Sequence, residues 1–344
     1  MSAGAEGTRV FQEAAEGAAV VAAQLRANSP RLESLGLRLR AHPPRAVITC
    51  ARGSSDHAAT YARYLIETRL GVLTSSAAPS VSSVYGATPQ LEGTVMLAIS
   101  QSGASPDLLA AASRARGAGA RIVALVNAEG SPLAQLADDL VPLHAGPERS
   151  VAATKSFIAS LSAVAQLVSA WSRDPTLARA LGEAPAQLAQ AWEADWSAAL
   201  TPLREAASLY TIGRGLGLAI AQEAALKLKE ICALHAEAVS AAELKHGPLA
   251  LVRAGFPLLM FAQADETFPG TQQLARELAA QGAQVLLAGA AAPGTIELPV
   301  PAAHPAIAPL LQAQSFYRLA NALSLARGAD PDRPPRLRKV TETL

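Results

Sequence analysis

The chain has 344 residues, half of them apolar, a net charge of +1 and two cysteines. That length suits two domains with a sizeable core. The near-neutral balance argues against a nucleic-acid surface spread over the whole molecule, though not against a local basic patch. Cys50 and Cys232, with no CxxC or Cys/His cluster, argue against a disulfide framework and structural zinc.

Apolar residues from Val10 to Leu39 recur among charges and predict a helix over 10–40, broken by AHPPR. The preceding N-terminal stretch lacks a signal-peptide core, and no uncharged run reaches the ~20 residues that span a bilayer. The expectation is a soluble cytoplasmic chain with no membrane partner. AVITC (46–50) predicts a short buried strand, ARGSSD a turn, and HAATYARYLIETRLG a helix ended by Gly71. TVMLAIS (94–100), RIVALVN (121–127) and LVPLH predict further strands. DLLAAASRARGAG and KSFIASLSAVAQLVSAW predict helices between and after them. A short helix at SPLAQLADD has Ser131 as its N-cap and Pro132 in its first turn. SRDPTLARALGEAPAQ, with two prolines, reads as a linker near 172–196.

The second half repeats the scheme. SLYTIGRG reads as strand and turn, and LAIAQEAALKLKEICALHAEA as one helix. FPLLMFAQ, TQQLARELAAQGA and AQVLLAG read as strand, helix and strand. Arg52-Gly53 and Arg214-Gly215 are 162 positions apart, as are Gln101 and Gln263. Gly119-Ala120 and Gly282-Ala283 are 163 apart. The shared register predicts an internal duplication: two α/β domains of one doubly wound type, each with a parallel sheet covered by helices. Ligands of such sheets bind outside the carboxyl ends of the strands.

Gly53-Ser54-Ser55 and Ser100-Gln101-Ser102-Gly103-Ala104-Ser105 lie at such ends. Hydroxyls, a glycine and a following helix N-terminus suit a phosphate monoester. An N-capped helix after a polar turn accounts for the same residues. Neither a Walker A loop nor a complete GxGxxG is present, which disfavours a nucleotide. In EAALKLKE, Glu223, Lys227 and Glu230 fall within about 60° of one another on a helix. They form either a solvated ion-pair stripe or, among Ile220, Leu226 and Leu234, a cleft wall where a carboxylate shuttles protons. His246, followed by Gly-Pro, stands where a helix must end, and its chemistry suits acid/base work near pH 7.

ARGSSDHA, SQSGASPD, GPERSVAATKSF, EAALKLKEICALHAEA, ELKHGPLAL and LRKVTETL resemble, in order, the isomerase half of glucosamine-6-phosphate synthase. ARGSSD and KVTET look more like the stand-alone SIS-type glucosamine-6-phosphate deaminases. The resemblance implies two tandem SIS domains over 20–171 and 197–335, each a flavodoxin-like three-layer α/β/α sandwich, with a tail at 336–344 closing the site. It implies that Gly53, Ser54, Ser55, Ser100, Gln101, Ser102 and Ser105 hold the phosphate and part of the sugar, with Val151 on the sugar. Glu230 would move a proton between C1 and C2, Lys227 would sit by the enolate oxygen, and Glu223 would support that helix. His246, donated by the neighbouring subunit of a homodimer, would open the ring. Lys339 would reach the substrate from the tail. Arg52 has no counterpart in the synthase and would touch substrate or tail. The chain starts Met-Ser, without the synthase's glutaminase nucleophile, so no glutamine hydrolysis is expected. The implied reaction takes glucosamine 6-phosphate and water to fructose 6-phosphate and ammonia, with no metal or other cofactor. The alternatives are a galactosamine-6-phosphate deaminase/isomerase, a fructosamine-6-phosphate deglycase, and a non-catalytic phosphosugar sensor.

Overall fold

A computed structural model describes residues 4–339. The chain forms two compact units. Of the described residues, the first gathers Ala19–Glu148, Ser156–Gly182, Arg338 and Lys339; the second gathers Gly4–Ala18, Arg149–Lys155 and Glu183–Leu337. In chain order the elements begin with α1 (Arg9–Ala15), α2 (Gly17–Ala41), β1 (Val47–Cys50), α3 (Ser54–Leu70), β2 (Thr74–Ser76) and α4 (Pro79–Ser83). They continue with β3 (Val95–Ser100), α5 (Pro106–Gly117), β4 (Arg121–Val126), α6 (Pro132–Leu136), β5 (Asp139–Pro142) and α7 (Lys155–Ser172).

The first unit's sheet has the order β2-β1-β3-β4-β5, and its pairings are parallel. Parallel strands covered on both faces read as continuous apolar runs. VMLAIS of β3 is buried at every position, and RIVALV of β4 at all but the first. Cys50, Met96, Ala98, Ile122 and Ala124 from the sheet pack with Leu108, Ala112 and Leu133 from α5 and α6. Ser131 caps α6, accepting from the Ala134 N–H at 3.4 Å, with Pro132 at the first position. Gly71 ends α3 in the left-handed region, φ 66°.

The remaining elements are α8 (Pro175–Glu193), α9 (Leu200–Arg204), β6 (Ser208–Gly213), α10 (Gly217–Cys232), β7 (His235–Ser240) and β8 (Pro257–Phe261). Then come α11 (Phe268–Ala280), β9 (Gln284–Ala288), β10 (Ile296–Leu298) and α12 (Ala308–Ala326). The second unit's sheet, β10-β9-β8-β6-β7, is again parallel. Numbered within itself and read from β7, it has the same 2-1-3-4-5 order, that of flavodoxin-like sheets, with the switch point between first and third strands. The matched glycines agree in conformation: φ is 55° at Gly53 and 57° at Gly215, 89° at Gly119 and 87° at Gly282. At the second switch point Gln263, 2% exposed, donates from Nε2 to the Arg214 carbonyl at 2.6 Å and to Thr267 Oγ1 at 3.3 Å. Asp265 accepts from both the N–H and the hydroxyl of Thr267, just ahead of α11.

Three expectations need correction. The segment 172–196, read as a linker, does carry the chain from one unit to the other, at Gly182–Glu183, but it does so as helix. Leu177, Leu181, Ala184, Leu188 and Ala191 form a buried stripe at helical spacing, and α8 continues through Pro185 despite the lost hydrogen bond. The helix expected to run through HAEA stops at Cys232. Ala233 turns left-handed at φ 47°, and His235–Ser240 then pairs with β6 as an edge strand. The helix expected over 10–40 is two, α1 and α2, separated at Glu16. Among the described residues no helix is long and apolar enough to cross a membrane, and no group of three or more His, Cys, Asp or Glu could hold a metal.

Two outcomes follow from the packing. Gly103 has φ +62°, and a Cβ there would lie 2.1 Å from Ser131 Oγ and 2.8 Å from Val126 Cγ2. Gly103→Ala therefore destabilises the protein by about 2 kcal/mol or more, read from the denaturant midpoint; an unchanged midpoint contradicts the geometry. Burial pushes the Cys50 thiol up to about 12, against the pull of Arg52, and the Cys232 thiol likewise to about 12. Both stay protonated at pH 8, so neither reacts with a thiol reagent in the native protein and both react after denaturation. Rapid native labelling of either would show that the burial is wrong.

Candidate active site

In the first unit the carboxyl ends of β1 and β3 are neighbours in register, with Cys50 opposite Ala98. The loops that follow are therefore adjacent. Gly53, at φ 55° and ψ −132°, is a backbone that favours glycine, and it opens α3 at Ser54 with no side-chain cap. Ser54 and Ser55 are half-buried at the head of that helix. In the second loop Ser100, buried, accepts the Gly103 N–H on its Oγ at 2.9 Å, and Ser102 accepts from the Ala104 N–H at 3.3 Å. Gly103 in turn accepts from the Leu133 N–H at 3.1 Å, and Gln101 accepts from Ala128 through its carbonyl. Ser105 occupies the N-cap of α5 yet makes no side-chain capping bond. Ser105 is half-buried at that helix end.

Arg52 joins the two loops. Its Nε and Nη2 donate to one oxygen of Asp107, at 2.8 and 2.6 Å. Asp107 is 1% exposed, and its other oxygen accepts the Leu108 N–H at 2.8 Å. Nearby, burial raises the Asp56 carboxyl above its ordinary range, against the opposing pull of His57 and Arg52. Lys339 Nζ lies 3.4 Å from Glu148, whose buried carboxylate also accepts from the N–H and hydroxyl of Ser156. The tail motif beyond Lys339 lies outside the described residues.

In the second unit α10 carries the three charged residues. Glu223 and Lys227 are 0% and 1% exposed, and Glu230 is 21% exposed. Lys227 Nζ is 2.5 Å from Glu230 Oε2 and 3.5 Å from Glu223 Oε1, while Tyr317 Oη on α12 donates to Glu223 Oε1 at 2.9 Å. The stripe is thus no solvated ion-pair row; only Glu230 keeps an edge in solvent. Lys229, pointing elsewhere, is exposed. His246 ends a short 3-10 turn, Glu243–His246, and is itself exposed, with Gly247 at φ 136° behind it. Val151 is half-buried in a segment whose start is held by Glu13: its two oxygens accept the N–H groups of Arg149 and Ser150, at 2.5 and 3.0 Å.

The structure thus gathers Arg52, Gly53, Ser54, Ser55, Ser100, Gln101, Ser102 and Ser105 on one sheet edge, and Glu223, Lys227 and Glu230 on one helix. His246 and Val151 stand on separate segments of the second unit. Sequence reasoning missed Asp107, Glu148 and Tyr317. The acid two places after Ser105 in SQSGASPD and the lone acid of GPERS were available signals. Nothing local marks Tyr317.

The SIS domain model matches residues 42–170 and 202–289. The chain belongs to the SIS domain family. It is 37% identical over 312 residues to a glutamine–fructose-6-phosphate aminotransferase [isomerizing] of Aeropyrum pernix, covering 84% of this chain and 49% of that protein. A Zymomonas mobilis protein of the same name is 36% identical over 313 residues, with 85% and 51% covered. The chain spans about half the length of these curated relatives. Among solved structures, a Silicibacter pomeroyi protein named as a phosphosugar isomerase is 41% identical, with a TM-score of 0.90 over 94% of this chain and 100% of that one. The C-terminal domain of a Francisella tularensis glucosamine-fructose-6-phosphate aminotransferase is 26% identical, with a TM-score of 0.87 over 97% and 100%.

The α10 geometry carries its own test. Lys227→Met leaves the Glu223 carboxylate buried without its cation and destabilises the protein by about 3–5 kcal/mol. Tyr317→Phe removes one buried donor and costs about 1–3 kcal/mol. Melting temperatures of the two variants should fall in that order; no change in the lysine variant would mean that the pair is hydrated.

Proposed function

We propose that the chain is an amino sugar phosphate deaminase and isomerase that converts glucosamine 6-phosphate and water to fructose 6-phosphate and ammonia. The observation that carries this reading is Glu230, an acid with one edge in solvent, hydrogen-bonded to a buried ammonium. Such a carboxylate is aimed and reachable, as a proton-transfer base must be. The family supports the substrate class: its relatives are named for isomerising chemistry on fructose 6-phosphate, and amination of that ketose run backwards is this deamination.

In this reading each domain is a flavodoxin-like sandwich. The hydroxyls of Ser54, Ser55, Ser102 and Ser105 and the ends of α3 and α5 take the phosphate, with Ser100 shaping the loop and Gln101 and Val151 on the sugar. His246, supplied by the second subunit of a homodimer, assists opening of the ring. Glu230 takes the proton from C2, giving an enolamine with a C1–C2 double bond, and returns it to C1. The C2 imine then adds water and expels ammonia. Lys227 keeps Glu230 aimed, and stabilises negative charge developing beside it. Glu223 and Tyr317 hold Lys227. Lys339, beside Glu148, reaches toward the substrate.

Glu230→Gln should lower kcat about 10²–10⁴-fold with KM little changed, measured as ammonia release from glucosamine 6-phosphate. Near-normal turnover in that variant would refute the role. Assays on galactosamine 6-phosphate and fructoselysine 6-phosphate decide among amino sugar phosphates. Saturable binding of all three without ammonia release would instead identify a phosphosugar sensor.

A further inference from the structure

The Arg52–Asp107 clasp is more than a surface ion pair. Asp107 is buried, and each of its oxygens is already committed, one to both Arg52 donors and one to the Leu108 N–H. Its position in the first turn of α5 places a negative charge where the helix dipole favours it. Arg52 is the opposite case. Its side chain is half exposed, and a guanidinium has five N–H donors, of which the clasp uses two. The remaining three are held in a fixed plane at the seam between the two loops.

Arg52 is also the sole cation in the stretches 52–55 and 100–107. The other donors there are neutral hydroxyls and backbone N–H groups. Neutral donors hold a phosphate but discriminate weakly between a dianion and an uncharged oxygen cluster, whereas a planar guanidinium matches a phosphate edge with paired hydrogen bonds. Pinning the guanidinium beforehand removes the ordering cost that a free arginine would bear on binding.

We propose that Arg52 is the specificity residue for the phosphate dianion, and that Asp107 is a positioning residue which fixes the guanidinium between the loops. This rests on the reading of those loops as the phosphate site, and it assigns them a charge selectivity that hydroxyls alone do not supply. Arg52 touches the ligand through the donors the clasp leaves over. Asp107 acts only through Arg52, so its loss matters only while Arg52 is present.

The test is calorimetric titration of inorganic phosphate into the full chain and into Arg52→Ala, Arg52→Lys, Asp107→Asn and the Arg52→Ala/Asp107→Asn double variant, each checked for folding by circular dichroism. Phosphate affinity should fall about 10-fold or more in Arg52→Ala and about 3–5-fold in Asp107→Asn, with the double variant no weaker than Arg52→Ala alone. KM for glucosamine 6-phosphate should rise in parallel, with kcat changed less than about 3-fold. Arg52→Lys keeps a charge beside Asp107 but loses the fork, and should weaken phosphate about 5-fold; it carries the test if the alanine variant does not fold. Wild-type affinity in the folded Arg52 variants overturns the role of Arg52 while leaving the phosphate site standing. An Asp107→Asn loss of equal size with and without Arg52 overturns the positioning role. No phosphate binding by the unmodified chain overturns the phosphate site itself, and this inference with it.

Discussion

A lysine ammonium that is 1% exposed has to be met by charge and hydrogen bonds on every side, because an unpaired buried ion costs several kcal/mol. Lys227 imposes that requirement on its surroundings. Glu223 answers it four residues back and Glu230 three residues on. Tyr317 reaches from α12 to satisfy Glu223 in turn. Such pairs seldom add net stability over a hydrocarbon core. What this one provides is a carboxylate of fixed place, with an edge left open to solvent.

The two sheet edges solve different problems with related parts. On the first, glycines and serines bring backbone N–H groups and hydroxyls to the ends of β1 and β3, where the proposed function seats the phosphate, and Gly103 is admitted only because it has no Cβ to strike Ser131. On the second, the helix after the first strand carries two acids and an ammonium whose positions are set by its own packing. A phosphosugar enzyme of the proposed kind needs both: a grip remote from the reacting carbons, and a proton carrier beside them.

Much of this was legible in the chain. Runs such as VMLAI and RIVALV can be little else than buried parallel strands, and the repeat spacing placed two copies of one sheet. The loops and the α10 charges could be found because their chemistry is local, within a few residues. What failed was non-local. HAEAV alternates too briefly to be told from helix in an alanine-rich context, and only pairing with β6 makes it a strand. APAQ looked like a break because proline usually is one, yet the buried stripe of α8 overrides it. Tyr317, Glu148 and Asp107 gain their meaning from partners 94, 191 and 55 residues away. No pattern in one dimension displays such a meeting.

The second switch point shows how a duplicated fold divides its labour. Where the first copy has Gly103, the second has Asp265, and where the first has a half-buried Gln101, the second folds Gln263 inward onto Arg214 and Thr267. In the second copy the Gln263 amide and the Asp265 carboxylate are thus committed to the protein's own backbone and to Thr267. One sequence register thus carries a turn closed on its own side chains in the later copy and an open glycine turn, with Gly103 at φ 62°, in the earlier one.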